Sequence, residues 1–296
     1  MDIVTTRRAL LGGAAAMAGM GPFAAAAAPA RQEELERAFP FKLGIATYSL
    51  RGFSRSGAIK AIKKIGTPYI NIKEFHLPLY APREEILAAR REFEREKLVI
   101  LGGGNIAFRR RAPGGAGGGE VPISAEEMQR NFEYAKLAGM PVMVMAPMPE
   151  SLPKIEALAR QYDIKVAIHN HGPEDSQFPG GMDVLKHVKN MDPRMGLCLD
   201  LGHAARAGED VVAVIKAAGP RLHDIHMKDL RDFKDKNSQV PVGEGAMPVA
   251  EIFKALKQIN YRGGVMLEYE IEEENPVPGM QRSFAYMRGV LTGLMG

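Results

Sequence analysis

The sequence predicts an α/β protein built as a single (β/α)8 barrel over residues 31–296, preceded by a cleavable leader over residues 1–30. Three observations carry this reading. Eight short apolar runs alternate with eight amphipathic segments. Residues 31–296 match the ~250 residues that one such barrel needs. Several of the runs end in ionisable residues, which is where a parallel barrel gathers its chemistry.

The apolar runs are KLGIATYS (42–49), YINIKEF (69–75), LVILGGG (98–104), PVMVMAP (141–147), KVAIHNH (165–171), GLCLDLGH (196–203), LHDIHMKD (222–229) and GVMLEYE (264–270). Helical periodicity falls over 55–65, 82–96, 124–138, 150–162, 181–190, 209–218, 248–259 and 278–293. The third helix has the clearest ends: Ser124 as cap, Glu127 three residues on, and Gly139 as stop. Strands alternating with helices pair in parallel through crossovers. Eight units close a barrel, whereas a doubly wound sheet usually has five or six. RRRAPGGAGGGEVP (109–122) follows the third strand and reads as a long loop on the active face, either a lid or a tolerated insertion.

The leader contains adjacent Arg7 and Arg8, a mildly apolar Ala/Gly/Met/Leu region, and then small residues suited to cleavage. This pattern points to a twin-arginine signal peptide and a periplasmic mature protein, with no stable membrane insertion after cleavage. The chain is 46% hydrophobic, enough for a large core. Its 39 basic and 35 acidic side chains are scattered, which argues against nucleic acid as a partner. Cys198 is the single cysteine, so no intrachain disulfide can form. A homo-oligomer is compatible with the sequence.

In a strand, residues two apart share a face. The fifth run ends with His169 and His171 on one face, the sixth brings Cys198 and Asp200, and His203 follows. The seventh brings Asp224, His226 and Lys228, and the eighth Met266, Glu268 and Glu270. Glu74 and His76 end the second run, and Tyr48 and Ser49 the first. Four consecutive strands ending in His, Asp, His and Glu suit a divalent cation, Mn²⁺ first and then Mg²⁺, Co²⁺ or Zn²⁺. Burying so many polar groups unpartnered would cost a few kcal/mol each.

LDLGHAARAGED, HDIHMKD, VMLEYE and PVGEG together make the chain resemble the xylose-isomerase-like TIM-barrel superfamily, the sugar phosphate isomerase/epimerase group that also includes endonuclease IV. The resemblance covers essentially all of the chain after the leader. It implies Asp200, His226 and Glu268 as metal ligands, Glu268 also as acid/base, and Lys228 and His203 at the substrate. It places Glu244 near the mouth. At the end of strand five the ketose epimerases usually carry Glu, and this chain has His169, as in a subgroup with an HNH fifth strand. By register with that Glu, His169 completes the ligand set, with His171 as the alternative ligand or a substrate contact. Glu74 and His76 are expected to contact substrate.

A divalent ion beside Glu268 and His169 suits proton transfer next to a sugar carbonyl. Export and the lack of a phosphate cradle in the mouth motifs point to an unphosphorylated keto- or aldo-sugar. The expected activity is therefore that of an isomerase/epimerase. The alternative is a lyase that cleaves 3-keto-glycosides by β-elimination. A non-catalytic sugar-binding barrel and a DNA-cutting relative of endonuclease IV are the further readings.

Overall fold

The computed structural model describes residues 34–112 and 119–296, so the leader expected over 1–30 lies outside the described residues. Eight parallel strands close a barrel: β1 (Lys42–Ala46), β2 (Tyr69–Ile72), β3 (Val99–Ala107), β4 (Val142–Ala146), β5 (Lys165–His169), β6 (Met195–Asp200), β7 (Leu222–Met227) and β8 (Gly264–Leu267). They run in sequence order round the barrel, with β8 pairing back to β1.

The helices fall where helical periodicity places them: α1 (Arg55–Ile65), α2 (Arg83–Arg95), α3 (Ala125–Ala138), α4 (Leu152–Tyr162) and α5 (Gly181–Val188). A short α6 (Leu201–Arg206), not expected from the sequence, is followed by α7 (Val211–Ala218), α8 (Val249–Gln258) and α9 (Val277–Gly293). Ser124 and Glu127 form the expected capping box. The Glu127 N–H donates to Ser124 Oγ at 3.2 Å, the Ser124 N–H donates to Glu127 Oε2 at 2.8 Å, and Gly139 ends α3 at φ 74°.

Strand alternation divides the core into two. Outward residues such as Ile45, Ile70, Ile168, Leu197 and Leu267 pack under the helices in one large apolar cluster. Inward residues fill the barrel. Val144, Ala167 and Cys198 form a small apolar layer, and Asn71 donates from its side chain to Asp224 across the interior. Above that layer the inward positions turn ionisable, because the strands reach the mouth.

The glycine-rich loop contains a hairpin, Arg109–Arg111 paired antiparallel with Glu120–Pro122. Arg109 grips Asp175 with both terminal guanidinium nitrogens, at 3.2 and 2.7 Å, and pairs with Glu120 at 3.1 Å. Its base is therefore fastened to the loop after β5.

Replacing Ser124 with alanine removes one half of the capping box. The expected loss is about 1 kcal/mol of unfolding free energy, read by urea denaturation.

Candidate metal centre and active site

At the C-terminal ends of the strands, one ligand atom from each of His169, Asp200, His226 and Glu268 lies within 4.8 Å of the other three. Register explains the meeting. Asp200 stands opposite His226, His226 opposite Met266, and Glu268 lies two residues beyond Met266 on the same face. His169 Nε2 and His226 Nδ1 are 2.9 Å apart, His226 Nδ1 is 3.0 Å from Glu268 Oε2, and His169 Nε2 is 3.5 Å from Asp200 Oδ2. All four side chains are buried.

Position 170 explains the alternation of imidazole, amide and imidazole at the end of β5. The Asn170 amide donates to the Asp200 carbonyl at 3.1 Å and accepts from the Asp200 N–H at 2.9 Å. It spans the gap between β5 and β6 where strand pairing ends. Asp200 also caps α6, accepting the His203 N–H on Oδ1 at 2.8 Å.

Burial would raise the Asp200 carboxyl, but the charges of His203 and Lys228 and a hydrogen bond from His169 outweigh it and hold the group well below the carboxylate range. Glu268 behaves alike: burial opposes ionisation, and His226, Lys228 and Lys73 more than offset it. Burial, helped by the neighbouring His171, pushes the His169 ring well below its ordinary value, which leaves a neutral imidazole. Lys228 stays charged, because Asp200, Glu268 and Glu270 overcome the desolvation that would lower it. Its Nζ lies 3.0, 3.2 and 2.8 Å from those three carboxylates.

Two carboxylates and two imidazoles, converging without a thiolate, fit a divalent cation. Asp200 Oδ2 is buried with the His169 ring and the Lys228 ammonium beside it but with no well-directed hydrogen bond, so it is the oxygen placed to face a cation. Cys198 is near enough to two of the histidines to be considered. Burial and the neighbouring Asp224 push its thiol well up, so it packs as a protonated side chain.

His169 and Glu268 reach the floor of a cavity of about 420 Å³, with Asp200 and His226 fully buried beside them, and its walls include Tyr48, Glu74, Asn105, His171, His203 and Glu270. His171 is held from two sides, by Asp175 Oδ2 at 3.2 Å and Asn105 Nδ2 at 2.7 Å. A larger cavity of about 760 Å³ opens at the N-terminal ends of the strands, beside Lys165, Leu222 and Gly264. The converging donor set is not there.

Two expected substrate contacts do not reach this cavity. β2 ends at Ile72 and the chain turns, with the His76 N–H donating to the Lys73 carbonyl, so strand alternation no longer applies to His76. Its ring is buried behind the wall, with Nε2 3.2 Å from the Phe53 carbonyl oxygen. Glu244 lies on the outside, paired with Arg282 at 2.9 Å. The PVGEG turn wraps the Asp229 carboxylate, which accepts from the N–H groups of Gly243, Gly245 and Met247. A Cβ at residue 245 would meet Asp229 Oδ1 at 2.2 Å, so the glycine there serves that turn. Ser49 is likewise structural, bonded to the Leu267 carbonyl and the Tyr269 N–H.

Sequence reasoning missed Lys73, Asn105 and Asp175. Lys73 was detectable, because it lies two residues after the inward Asn71.

The family described as xylose isomerase-like TIM barrel matches residues 59–290. The chain belongs to this family. Among xylose isomerase-like relatives, the inosose dehydratase of Mesomycoplasma hyopneumoniae (strain J) is 27% identical over 166 residues, 48% of this chain and 53% of the relative. That of Clostridium perfringens (strain ATCC 13124) is 31% identical over 137 residues, 41% of this chain and 46% of the relative. These matches span about half the length of the curated relatives. A longer one, with the inosose dehydratase of Clostridium beijerinckii, is 24% identical and covers 70% of this chain and 68% of the relative. Among solved xylose isomerase-like folds, 3-keto-D-glucoside 4-epimerase from E. coli superposes with TM-score 0.66 at 17% identity, covering 84% of this chain and 99% of that one. A probable 3-DHS dehydratase from Bacillus anthracis gives 0.68 at 14% identity, covering 83% and 98%. At these identities the structures attest the shared barrel.

Beneath the site, burial pushes the Asp224 carboxyl up from 3.8 to about 6. A group raised on folding contributes stability that is full below its unfolded pKa and lost as pH rises through the folded one. Asp224→Asn is therefore expected to be more stable than the parent at pH 8, by about 2–3 kcal/mol. The gap should close below about pH 4. Thermal melts of chelator-treated protein across this range check it.

Proposed function

We propose that this barrel is a divalent-metal-dependent isomerase/epimerase that moves a proton at the carbon beside the carbonyl of an unphosphorylated keto-sugar. The observation that carries the reading is the meeting of Glu268 with Asp200, His169 and His226 at the floor of a sugar-sized cavity. His169, Asp200, His226 and Glu268 would hold the ion. When bound, it supplies Lewis-acid stabilisation of the negative charge that develops on the carbonyl oxygen.

The protein's own groups do the remaining work. Glu268, ionised at pH 7, takes the proton; its return to the neighbouring carbon isomerises the sugar, whereas return to the opposite face of the same carbon, from a second group, epimerises it. His203 offers a ring nitrogen to sugar hydroxyls from the wall, and His171, held by Asp175 and Asn105, shapes that wall. Lys228, pinned by three carboxylates, holds Glu268 in place and presents positive charge beside it. Of the cations near the cavity, Lys73, Lys228 and Arg109 are each engaged by a carboxylate. That favours a substrate without a phosphate group. Export by the twin-arginine route, suggested by Arg7 and Arg8, agrees with this choice and would place the enzyme in the periplasm.

A second reading, loss of a β-oxygen substituent from the same enolate, is favoured by the relatives named inosose dehydratase. It would make the protein a lyase acting on a cyclic ketone or a keto-glycoside. Both readings share the first proton transfer.

Incubation of the Mn²⁺-loaded protein with keto-sugars in D₂O separates them by NMR. Deuterium entering the α-carbon without elimination supports epimerisation or isomerisation. Exchange with release of water or an aglycone supports the lyase. No exchange into any keto-sugar would sink both. Glu268→Gln is expected to slow exchange by roughly 10²–10⁴-fold, and chelation should abolish it until Mn²⁺ is restored.

A further inference from the structure

We infer that Lys73 is a catalytic residue whose ammonium meets the anionic oxygen of the substrate's enolate, an inference that rests on the proton-transfer reading above. Lys73 follows β2 and lines the cavity floor while only 3% exposed. Its Nζ lies 3.3 Å from Glu268 Oε1 and 3.4 Å from His226 Nε2. Those residues lie in β7 and just past the end of β8, so the side chain passes across the mouth over β1. At the top of β1 the inward residue is the small Ala46, while the space over Gly44 below it is taken by Met266.

The backbone of Lys73 is held on both sides. Its N–H donates to Thr47 Oγ1 at 2.9 Å, and its carbonyl accepts from the N–H groups of His76 and Leu77. The chain therefore fixes a lysine to aim into the site. Glu268 also faces Lys228 at 3.2 Å and His226 at 3.0 Å through Oε2, so it keeps a partner when Lys73 turns to the substrate.

Charge bookkeeping gives the role. Asp200, Glu268 and Glu270 bring three negative charges, and Lys73 and Lys228 bring two positive ones. Imidazoles that coordinate a metal are neutral. Proton transfer leaves the total unchanged, because Glu268 becomes neutral as the enolate gains its negative charge. Lys73 then loses the carboxylate it faces at 3.3 Å, and its ammonium is released to face the new anion in a low-dielectric pocket.

The test uses the Mn²⁺-loaded full chain as wild type, Lys73→Met and Lys73→Arg. The probe is glycolohydroxamate, a planar mimic of an enediolate that is anionic when it chelates a metal, and calorimetry reads its Kd. Lys73→Met is expected to bind the probe at least about tenfold more weakly, and Lys73→Arg within about threefold of wild type. Manganese content should equal that of wild type in all three. Unchanged binding in Lys73→Met overturns the inference. So does loss of manganese from that variant, which would make Lys73 a support for Glu268, and so does wild type that does not bind the probe. This readout needs no turnover. If wild type exchanges deuterium but Lys73→Met binding is unchanged, proton transfer stands and Lys73 leaves it. If binding depends on Lys73 but no keto-sugar exchanges, the charge assignment stands and the reaction falls.

Discussion

The structure depends on keeping two carboxylates, Asp200 and Glu268, ionised out of water at the barrel mouth. Each unpaired charge there would cost several kcal/mol. The fold meets that cost with ammonium groups from two directions, Lys228 from the end of β7 and Lys73 from the end of β2. The result is a site whose charges already balance closely and whose geometry is fixed by strand register. A divalent cation entering it would find donors in place, and its charge would shift the floor toward attracting an anion.

Much of this was legible in the sequence because the barrel has one simple rule. Inward residues recur every second position until the strand ends, so His169, Asp200, His226 and Glu268 could be aligned by counting. The rule also shows where reading fails. His76 lies beyond a turn, where the count no longer holds. Asn105 lies within a register shift between Gly103 and Ile106, which breaks the period of β3. Lys73 obeyed the rule but stood beside Glu74, and a lysine in a polar stretch reads as surface. The Arg109–Asp175 pair joins residues far apart in sequence, and no local pattern announces it.

The glycine motifs divide in the same way. PVGEG resembles a site element in sequence, yet its backbone amides serve Asp229 and its glutamate faces outward. The glycine-rich stretch after β3 carries no site residue of its own among the described residues, but its base holds Asp175, which in turn holds His171 on the cavity wall. The α6 helix is hard to read from sequence because it is short and is capped by Asp200, whose carboxylate reads equally as a metal ligand.

The clamp made by Asn170 has a consequence for how quickly the site can be filled. Both main-chain polar groups of Asp200 are occupied by one amide, and one carboxylate oxygen is committed to the start of α6. Only Oδ2, which faces the Lys228 ammonium at 3.0 Å, would be left to respond to an incoming ion. The ordering entropy of that ligand is thus spent during folding, so capture of the ion should be governed by its dehydration and its passage down the cavity, with little rearrangement of the protein.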